Sequence, residues 1–232
     1  ARAYVDQLDR DCRDIAGILQ TVCLIRSAAQ NIRDLVAGFG EIWSTRLYAA
    51  LLRERHARGG EVMWVDARQV VVVEWGPLGP AVQWEESQAN LAKLVLPGWT
   101  GTLVITGFIA ADRRGIQTTL GRNGSDFSAS IFGALLDAQE IVIWTDVDGV
   151  LSADPRRVPD AKVIDSLTYN EAMELAYFGA KVIHPQTMAP AVARQIPIWI
   201  RNTFNASHRG TLIGPTQASK LTVKGITTID KV

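Results

Sequence analysis

Cysteine and histidine are scarce in this chain of 232 residues. It has two cysteines, Cys12 and Cys23, and three histidines. The cysteine spacing fits neither a zinc knuckle nor a redox pair, and the histidines are scattered along the chain. The sequence therefore predicts reduced thiols in a cytoplasmic protein, with no metal held by the protein itself.

Net charge and long apolar runs are also lacking. The 24 lysines and arginines balance the 24 aspartates and glutamates, so no overall field favours binding to nucleic acid or to an anionic membrane. No uncharged apolar stretch approaches the roughly 18 residues of a membrane span. The sequence therefore predicts neither a nucleic-acid partner nor a membrane partner, and any affinity for phosphate has to come from local geometry.

The pattern that is present is typical of an α/β protein. A helical periodicity runs from Tyr4 to about Arg58, and Gly38-Phe39-Gly40 is expected to interrupt it. Short β-rich runs follow, and helix-like segments lie between the later ones. The alternation predicts a mainly parallel sheet covered by helices. The strand-like runs are "EVMWVD", "VVVVEW", "GTLVITGFI", "EIVIWTD", "IPIWI" and "GTLIG", and the helix-like segments are "DFSASIFGALLDA", "YNEAMELAYFGA" and "PQTMAPAVARQ".

The segment "GRNGSD", residues 121–126, is a candidate ligand loop. Its glycines allow a positive φ or close approach of the backbone to a ligand, and a helix that begins here would direct free N–H groups at an anion. Arg122 could bind a carboxylate through two hydrogen bonds. Asp126 could cap the helix or orient a cationic group, and the two roles are compatible.

Three further places carry candidate chemistry. The segment "WTDVDGVLSADPRR" could wrap a nucleotide, or could be two ordinary turns with solvated arginines. Lys181 could bind phosphate as a point charge, although a single lysine is usually just surface. Glu41 is expected at a helix start after two glycines, with Ser44 in the first turn. It could complement the helix dipole or receive the ammonium group of an amino acid whose carboxylate binds Arg122.

Five ordered segments make the chain resemble the kinase domain of aspartokinases. They are "GRNGSDFSA", "IWTDVDGV", "ADPRRVPDA", "EAMELAYFGAKVIHP", and "IPIWIRNT" followed by "GTLIG". The likeness extends from about Gly38 to Gly214 and is greatest to bifunctional enzymes in which aspartokinase is fused to a second activity. Residues 215–232 are expected to be a linker and the first strand of a truncated regulatory domain, after a kinase domain at 1–214.

The resemblance implies the amino-acid kinase fold, a three-layer α/β/α sandwich. It also implies transfer of the γ-phosphoryl group of MgATP to the side-chain carboxylate of L-aspartate, which gives 4-phospho-L-aspartate for lysine, threonine and methionine biosynthesis, and a homo-oligomer. Carried over by motif, Glu41, Arg122 and Ser44 bind aspartate, and Asp126 assists catalysis. Lys181 neutralises phosphate charge as a catalytic group. The nucleotide pocket is lined by Thr145, Asp146, Leu151, Asp154, Arg156, Lys181 and Val182.

The sequence departs from the family pattern in two ways. It contains no Lys-Phe-Gly-Gly-Ser/Thr loop, in which the family's lysine and glycines hold the transferred phosphate, and the strand that ends in that loop is expected to be missing. Leu151 stands where the family usually has a tyrosine against the nucleotide. Loss of preorganised phosphate contacts costs several kcal/mol of transition-state stabilisation, so the chain as printed is expected to be inactive.

Two other functions stay open on the sequence alone. The nucleotide half of the fold is shared by kinases of acetylglutamate, glutamate, carbamate and nucleoside monophosphates, although "FGAKVIHP" with Glu41 ahead of it favours aspartate. The missing glycine loop would also suit a nucleotide-binding or regulatory subunit that lacks catalysis.

Overall fold

A computed structural model of the chain describes residues 2–55, 60–77, 79–177, 184–216 and 223–226. The chain divides into two compact units, Ala1–Gly124 and Ser125–Val232.

The first unit opens with two long helices, α1 (Arg2–Ile25) and α2 (Gln30–Arg55). The chain turns between them with Arg26 at a φ of 52°. A polar contact joins the two helices, since the Trp43 indole donates a hydrogen bond to Asp11 (3.0 Å). The expected interruption at Gly38–Gly40 was wrong, because α2 runs through these residues without a break.

Close packing explains the glycine at position 38. A Cβ there would collide with the Gln117 amide nitrogen and lie 3.0 Å from Ile109 Cγ2, whereas a Cβ at Gly40 would meet nothing within 4 Å. Gln117 lies against the helix because its amide donates to the Asp34 carbonyl (2.7 Å). Gly38 therefore lets another part of the unit approach the α2 backbone and does not end the helix.

Short strands and one helix follow α2. The parallel pair consists of β1 (Val62–Val65) and β4 (Thr102–Ile105). Two antiparallel pairs join β2 (Val73–Gly76) with β3 (Gly79–Val82), and β5 (Ile109–Ala111) with β6 (Gln117–Thr119). A short 3₁₀ helix, Ala67–Gln69, precedes β2, and α3 (Trp84–Leu94) lies between β3 and β4.

The second unit contains a four-stranded sheet with helices. Its strand order is β7 (Ile141–Thr145), β9 (Ile198–Asn202), β10 (Thr211–Gly214), β8 (Ser166–Thr168). The β7 and β9 strands are parallel, as are β10 and β8, whereas β9 and β10 are antiparallel. The helices are α4 (Gly124–Leu135), α5 (Tyr169–Tyr177) and α6 (Pro185–Ala193). Fully buried aliphatic side chains form the core; they include Leu167, Met188, Ile198, Ile200 and Ile213.

The predicted α/β organisation is confirmed. Helices and strands are interspersed through the second unit, in the order α4, β7, β8, α5, α6, β9, β10, and parallel pairing occurs in both units. Among the described residues, no helix is both long enough and apolar enough to cross a bilayer.

Candidate active site

Glu41 lies in the middle of α2, so its expected position at a helix start was wrong. Its carboxylate therefore does not complement the positive end of the helix dipole. It is half-buried and accepts a hydrogen bond from the backbone N–H of Gly107, in the segment between β4 and β5. Burial raises the pKa of Glu41, and the Gly107 hydrogen bond opposes part of that rise. The site thus holds a carboxylate that is solvated less well than in water and would gain from a cationic partner.

Ser44 lies one helical turn beyond Glu41 on the same face of α2 and is exposed. Its hydroxyl donates to the Glu41 carbonyl (3.2 Å). Thr45 donates to the same carbonyl (2.6 Å) and accepts a hydrogen bond from the Trp64 indole (3.0 Å). These bonds fix the α2 backbone beneath Glu41 and leave the Ser44 oxygen able to accept a hydrogen bond from a ligand.

The "GRNGSD" loop turns through two residues of positive φ, Gly121 (77°) and Asn123 (55°), and α4 begins at Gly124. Space is short at the helix start, because a Cβ at Gly124 would lie 2.7 Å from the Phe108 ring. Arg122 is exposed at the tip of this turn. Within the described part of the chain its guanidinium has no protein partner, so it is available to an anionic ligand.

Asp126 lies in the first turn of α4. The helix begins two residues earlier, so Asp126 is not the cap that the sequence suggested, although a carboxylate in the first turn still complements the helix dipole. Burial raises the pKa of Asp126. Like Glu41, it is a carboxylate whose charged form is disfavoured in the free protein, which is typical of groups that act on a ligand.

Thr145 and Asp146 stand at the carboxyl end of β7, the edge where α/β sheets bind ligands. The Thr145 hydroxyl donates to the Asp146 carboxylate (3.2 Å), and the Thr145 carbonyl accepts a hydrogen bond from Thr203 N–H (2.8 Å). Asp146 is exposed. The strand end is therefore tied to the chain that follows β9, and the aspartate faces solvent.

Asp148 organises this edge, although the sequence marks it only as part of an Asp-Gly turn. Its Oδ1 accepts hydrogen bonds from the side-chain amides of Asn202 (2.8 Å) and Asn205 (3.0 Å). These two bonds are the main reason that the pKa of Asp148 lies below its usual value. Sequence signals for this arrangement were limited to the Asp-Gly turn and to the asparagines after β9, and neither signal pairs the two loops.

Asp154 and Arg156 pair with each other. Arg156 binds the two carboxylate oxygens of Asp154 through Nε (3.0 Å) and Nη2 (2.7 Å), and its backbone N–H adds a third hydrogen bond (2.9 Å). Hydrogen bonds from Arg156 are the largest cause that lowers the pKa of Asp154, to about 2. Leu151, at the start of the same loop, pairs with Val163 in an isolated bridge. The pairing gives the loop a fixed shape with an exposed guanidinium.

Lys181 and Val182 lie outside the described residues. The structure therefore brings together Glu41 with Ser44, Thr145 with Asp146, and Asp154 with Arg156. Arg122 and Asp126 are neighbours in the chain around the start of α4. Within the described residues, no group of three or more histidine, cysteine or acidic side chains is arranged to hold a metal ion.

These features suit a ligand with several charges. Each carboxylate with a raised pKa favours a cationic partner such as an ammonium group, and Arg122 favours a carboxylate or a phosphate. The Thr145–Asp146 edge offers acceptors at the end of a parallel strand, a typical place for ribose or phosphate groups.

A family model supplies the deciding observation. The model of the amino acid kinase family matches residues 1–202. The chain belongs to the amino acid kinase family. Among solved structures, this amino acid kinase is similar to Escherichia coli aspartokinase III in complex with aspartate and ADP, with a TM-score of 0.81 and 33% identity over 92% of this chain and 47% of that one.

Curated relatives agree. A chloroplastic bifunctional aspartokinase/homoserine dehydrogenase of Daucus carota is 42% identical over 99% of this chain and 26% of its own length. Lysine-sensitive aspartokinase 3 of Escherichia coli is 38% identical over 90% of this chain and 45% of its own length. The amino acid kinase thus spans about a quarter of the bifunctional relative, and the predicted resemblance to aspartokinases is confirmed.

Proposed function

We propose that this chain provides the aspartate and nucleotide sites of an aspartokinase. The reaction transfers the γ-phosphoryl group of MgATP to the side-chain carboxylate of L-aspartate. A carboxylate oxygen forms the new bond to the γ-phosphorus, the bond from that phosphorus to the β,γ-bridging oxygen breaks, and ADP leaves. The observation that carries the proposal is the likeness to aspartokinase III, whose structure contains aspartate and ADP.

For the aspartate site we propose that Glu41 receives the substrate ammonium group and that Arg122 receives a carboxylate. Glu41 is half-buried with a raised pKa, so a cationic partner would stabilise its charged form. Arg122 is exposed at a loop tip that two positive-φ residues define. Ser44 adds an acceptor oxygen on the Glu41 face of α2, and Asp126 assists from the first turn of α4.

For the nucleotide site we propose the strand end at Thr145–Asp146 and the loop from Leu151 to Arg156. Asp148 holds the first of these through Asn202 and Asn205, and the Asp154–Arg156 pair fixes the second. Leu151 contributes apolar contact where the resemblance to aspartokinases implies a tyrosine. Lys181 and Val182 complete the site by resemblance, and the Lys181 ammonium neutralises phosphate charge as the γ-phosphoryl group leaves ADP.

Mg²⁺ enters with the nucleotide in this proposal. Mg²⁺ generally keeps several waters and binds through one or two carboxylates together with substrate phosphates. The ion supplies neutralisation of the phosphate charge when it is bound. The chain's own residues bind and orient the two substrates.

The discriminating experiment is calorimetry with this chain. We expect binding of MgADP and of L-aspartate, loss of aspartate binding in Arg122→Ala, and loss of nucleotide binding in Lys181→Ala. Lys93→Ala, which removes an exposed α3 side chain in contact with Asn90, is the control and should change neither affinity. If the unsubstituted chain binds neither MgADP nor L-aspartate, the proposal is contradicted.

Substrate choice follows from Glu41. If the Glu41 carboxylate binds the α-ammonium group of the substrate, N-acetyl-L-aspartate and N-acetyl-L-glutamate should fail to compete with L-aspartate, because acetylation removes the ammonium charge. Competition by N-acetyl-L-glutamate would favour a different acceptor within the same family.

Turnover is a separate question from binding. The printed sequence lacks the Lys-Phe-Gly-Gly-Ser/Thr loop, so we expect binding without ADP production in a coupled assay. A longer protein in which that loop precedes this chain should produce ADP only when aspartate is present. Aspartate-dependent ADP production by the printed chain would overturn the inactive half of this proposal.

We also propose a homo-oligomer located in the cytoplasm. The cytoplasmic location stays a prediction from cysteine usage, and several curated relatives are named as chloroplastic.

A further inference from the structure

A lysine near the end of the chain makes an ion pair inside the second unit. Lys224 Nζ lies 2.9 Å from Glu171 Oε2 and donates a second hydrogen bond to the Ser166 carbonyl (3.3 Å). The Lys224 side chain is 5% exposed. Burial of an ammonium group is costly unless it is paired, so the C-terminal segment, defined here as Val223–Ile226, is held at a specific place on the unit.

The partner carboxylate already has a structural role. Glu171 accepts hydrogen bonds from the Thr168 backbone N–H (2.7 Å) and hydroxyl (3.0 Å), and its own N–H donates to the Thr168 hydroxyl (3.2 Å). This reciprocal arrangement is a capping box at the start of α5. In the sequence, α5 comes before Lys181, the proposed phosphate-binding lysine. Lys224 therefore pairs with a residue at the start of the helix that precedes Lys181.

The same segment contacts the proposed nucleotide loop. Ile226 N–H donates to the Ser152 carbonyl (2.8 Å). A Cβ at Gly225 would lie 3.2 Å from that carbonyl oxygen and 3.3 Å from Leu175 Cδ2 on α5. Gly225 therefore lets the segment lie close to the loop and to α5 at once.

A cavity of about 370 Å³ lies between the C-terminal segment and the loop. Asp154, Arg157 and Val158 line it from the loop, and Val223 and Ile226 line it from the segment. Displacement of the segment would remove one wall of this cavity and a backbone hydrogen bond of the loop.

We propose that Lys224 is a positioning residue for the nucleotide site. Its ion pair with Glu171 fixes Val223–Ile226 against Ser152, and the segment in turn fixes the loop that carries Asp154 and Arg156. The inference rests on the proposed function, which assigns the loop to the nucleotide site. Val223–Ile226 lie beyond the predicted end of the kinase domain at Gly214. Nucleotide affinity then depends on chain outside that domain.

The test combines two measurements on Lys224→Met, Lys224→Arg and the control Lys93→Met. Hydrogen exchange reports whether the amides of residues 150–158 lose protection, and calorimetry reports the MgADP and aspartate affinities. We expect Lys224→Met to expose the loop amides and to weaken MgADP binding about five-fold or more, the lower end of typical coupling between sites. Aspartate affinity should be unchanged, and Lys224→Arg should restore most of the MgADP affinity because it keeps the charge.

A purely structural lysine would give a different result. Its replacement would lower thermal stability and weaken the binding of MgADP and of aspartate together. Lys224→Arg would then not restore the MgADP affinity selectively. If Lys224→Met does not fold, Gly225→Ala gives the second variant, since its Cβ presses on the Ser152 carbonyl while the ion pair stays intact. Unchanged loop exchange and unchanged MgADP affinity in a folded variant overturn the inference. Failure of the unsubstituted chain to bind MgADP instead overturns the proposed function and the inference with it.

Discussion

Two carboxylates stand out at the residue scale because the fold works against their charge. Burial raises the pKa of Glu41 and of Asp126, while hydrogen bonds from Arg156 lower the pKa of Asp154. Groups whose charged form is disfavoured in the free protein cluster at functional sites. The raised pKa values are a property that the sequence could not reveal, and the assignment of Glu41 and Asp126 to the site stays a prediction.

Glu41→Gln should separate binding from stability. Since the folded pKa lies above the ordinary value, the carboxyl group stabilises the protein only at low pH, and this contribution is lost as pH rises through the raised pKa. Glutamine keeps an acceptor for Gly107 N–H and removes the buried charge. We expect an equal or higher melting temperature at pH 7 and a flatter acidic stability profile.

Aspartate affinity should fall in Glu41→Gln, although the melting temperature stays equal or rises. Hydrogen bonds to charged groups contribute about 1.5–3 kcal/mol, so calorimetry should give an aspartate Kd about tenfold weaker or worse. Glu54→Gln, an exposed position on the same helix, is the matched control and should leave the aspartate Kd unchanged. Normal aspartate affinity in Glu41→Gln would remove Glu41 from the site.

The Asp154–Arg156 pair gives a second prediction at this scale. Asp154 has a pKa of about 2, so whatever the ionised pair contributes is present above the ordinary value and is lost as pH falls through 2. In Arg156→Met, an NMR titration of the Asp154 carboxyl carbon should return its midpoint towards the ordinary value. Arg157→Met should shift it much less, because Arg157 is the smallest of the causes that lower this pKa. Equal shifts in the two variants would contradict the pairing.

At the element scale, glycine has two different meanings within α2. A Cβ at Gly38 would collide with Gln117, and a Cβ at Gly40 would lie in open space. We expect Gly40→Ala to raise the free energy of unfolding by about 0.5–1 kcal/mol through helix propensity, and Gly38→Ala to lower it by about 1–3 kcal/mol through overpacking. Urea denaturation of both variants measures the difference, and stabilisation by both would show that Gln117 moves aside freely.

The apolar elements were predictable from the sequence, whereas the polar ones were not. The runs that became β1, β7, β9 and β10 are rich in aliphatic and aromatic residues, and α4 and α6 have helical apolar spacing. By contrast, β6 is Gln-Thr-Thr, and all three residues are buried. Its burial depends on partners far along the chain, such as the Asp34 carbonyl that Gln117 binds, so no local pattern marks it as a strand.

Breaks centred on non-glycine residues with a positive φ were also missed. The break between α1 and α2 occurs at Arg26 (φ 52°), where the sequence has no conventional breaker. The run "GTLVITGFI" divides into β4 and β5 around Phe108 (φ 65°). In both places the packing of neighbouring elements sets a backbone conformation that propensity disfavours. Residues that contact the candidate site, such as Gly107 and Asn202, were not predicted either, because they are near their partners in space and distant in the sequence.

At the scale of the whole molecule, balanced charge bears on the proposed homo-oligomer. The chain has 24 residues of each sign and a pI of about 7.1, so charge repulsion between copies is weakest near neutral pH. Nonspecific association should then peak near pH 7. Both cysteines are exposed, and their oxidation could add covalent dimers.

A specific oligomer should behave differently from either kind of association. Its interface is set by shape and apolar burial, so we expect one stoichiometry by light scattering coupled to size exclusion at pH 6, 7 and 8.5, with reductant present. Cys12→Ser with Cys23→Ser is the control and should give the same mass. A mass that rises only near pH 7, or that falls when the cysteines are replaced, would assign the association to charge neutrality or to disulfides and would contradict a native homo-oligomer.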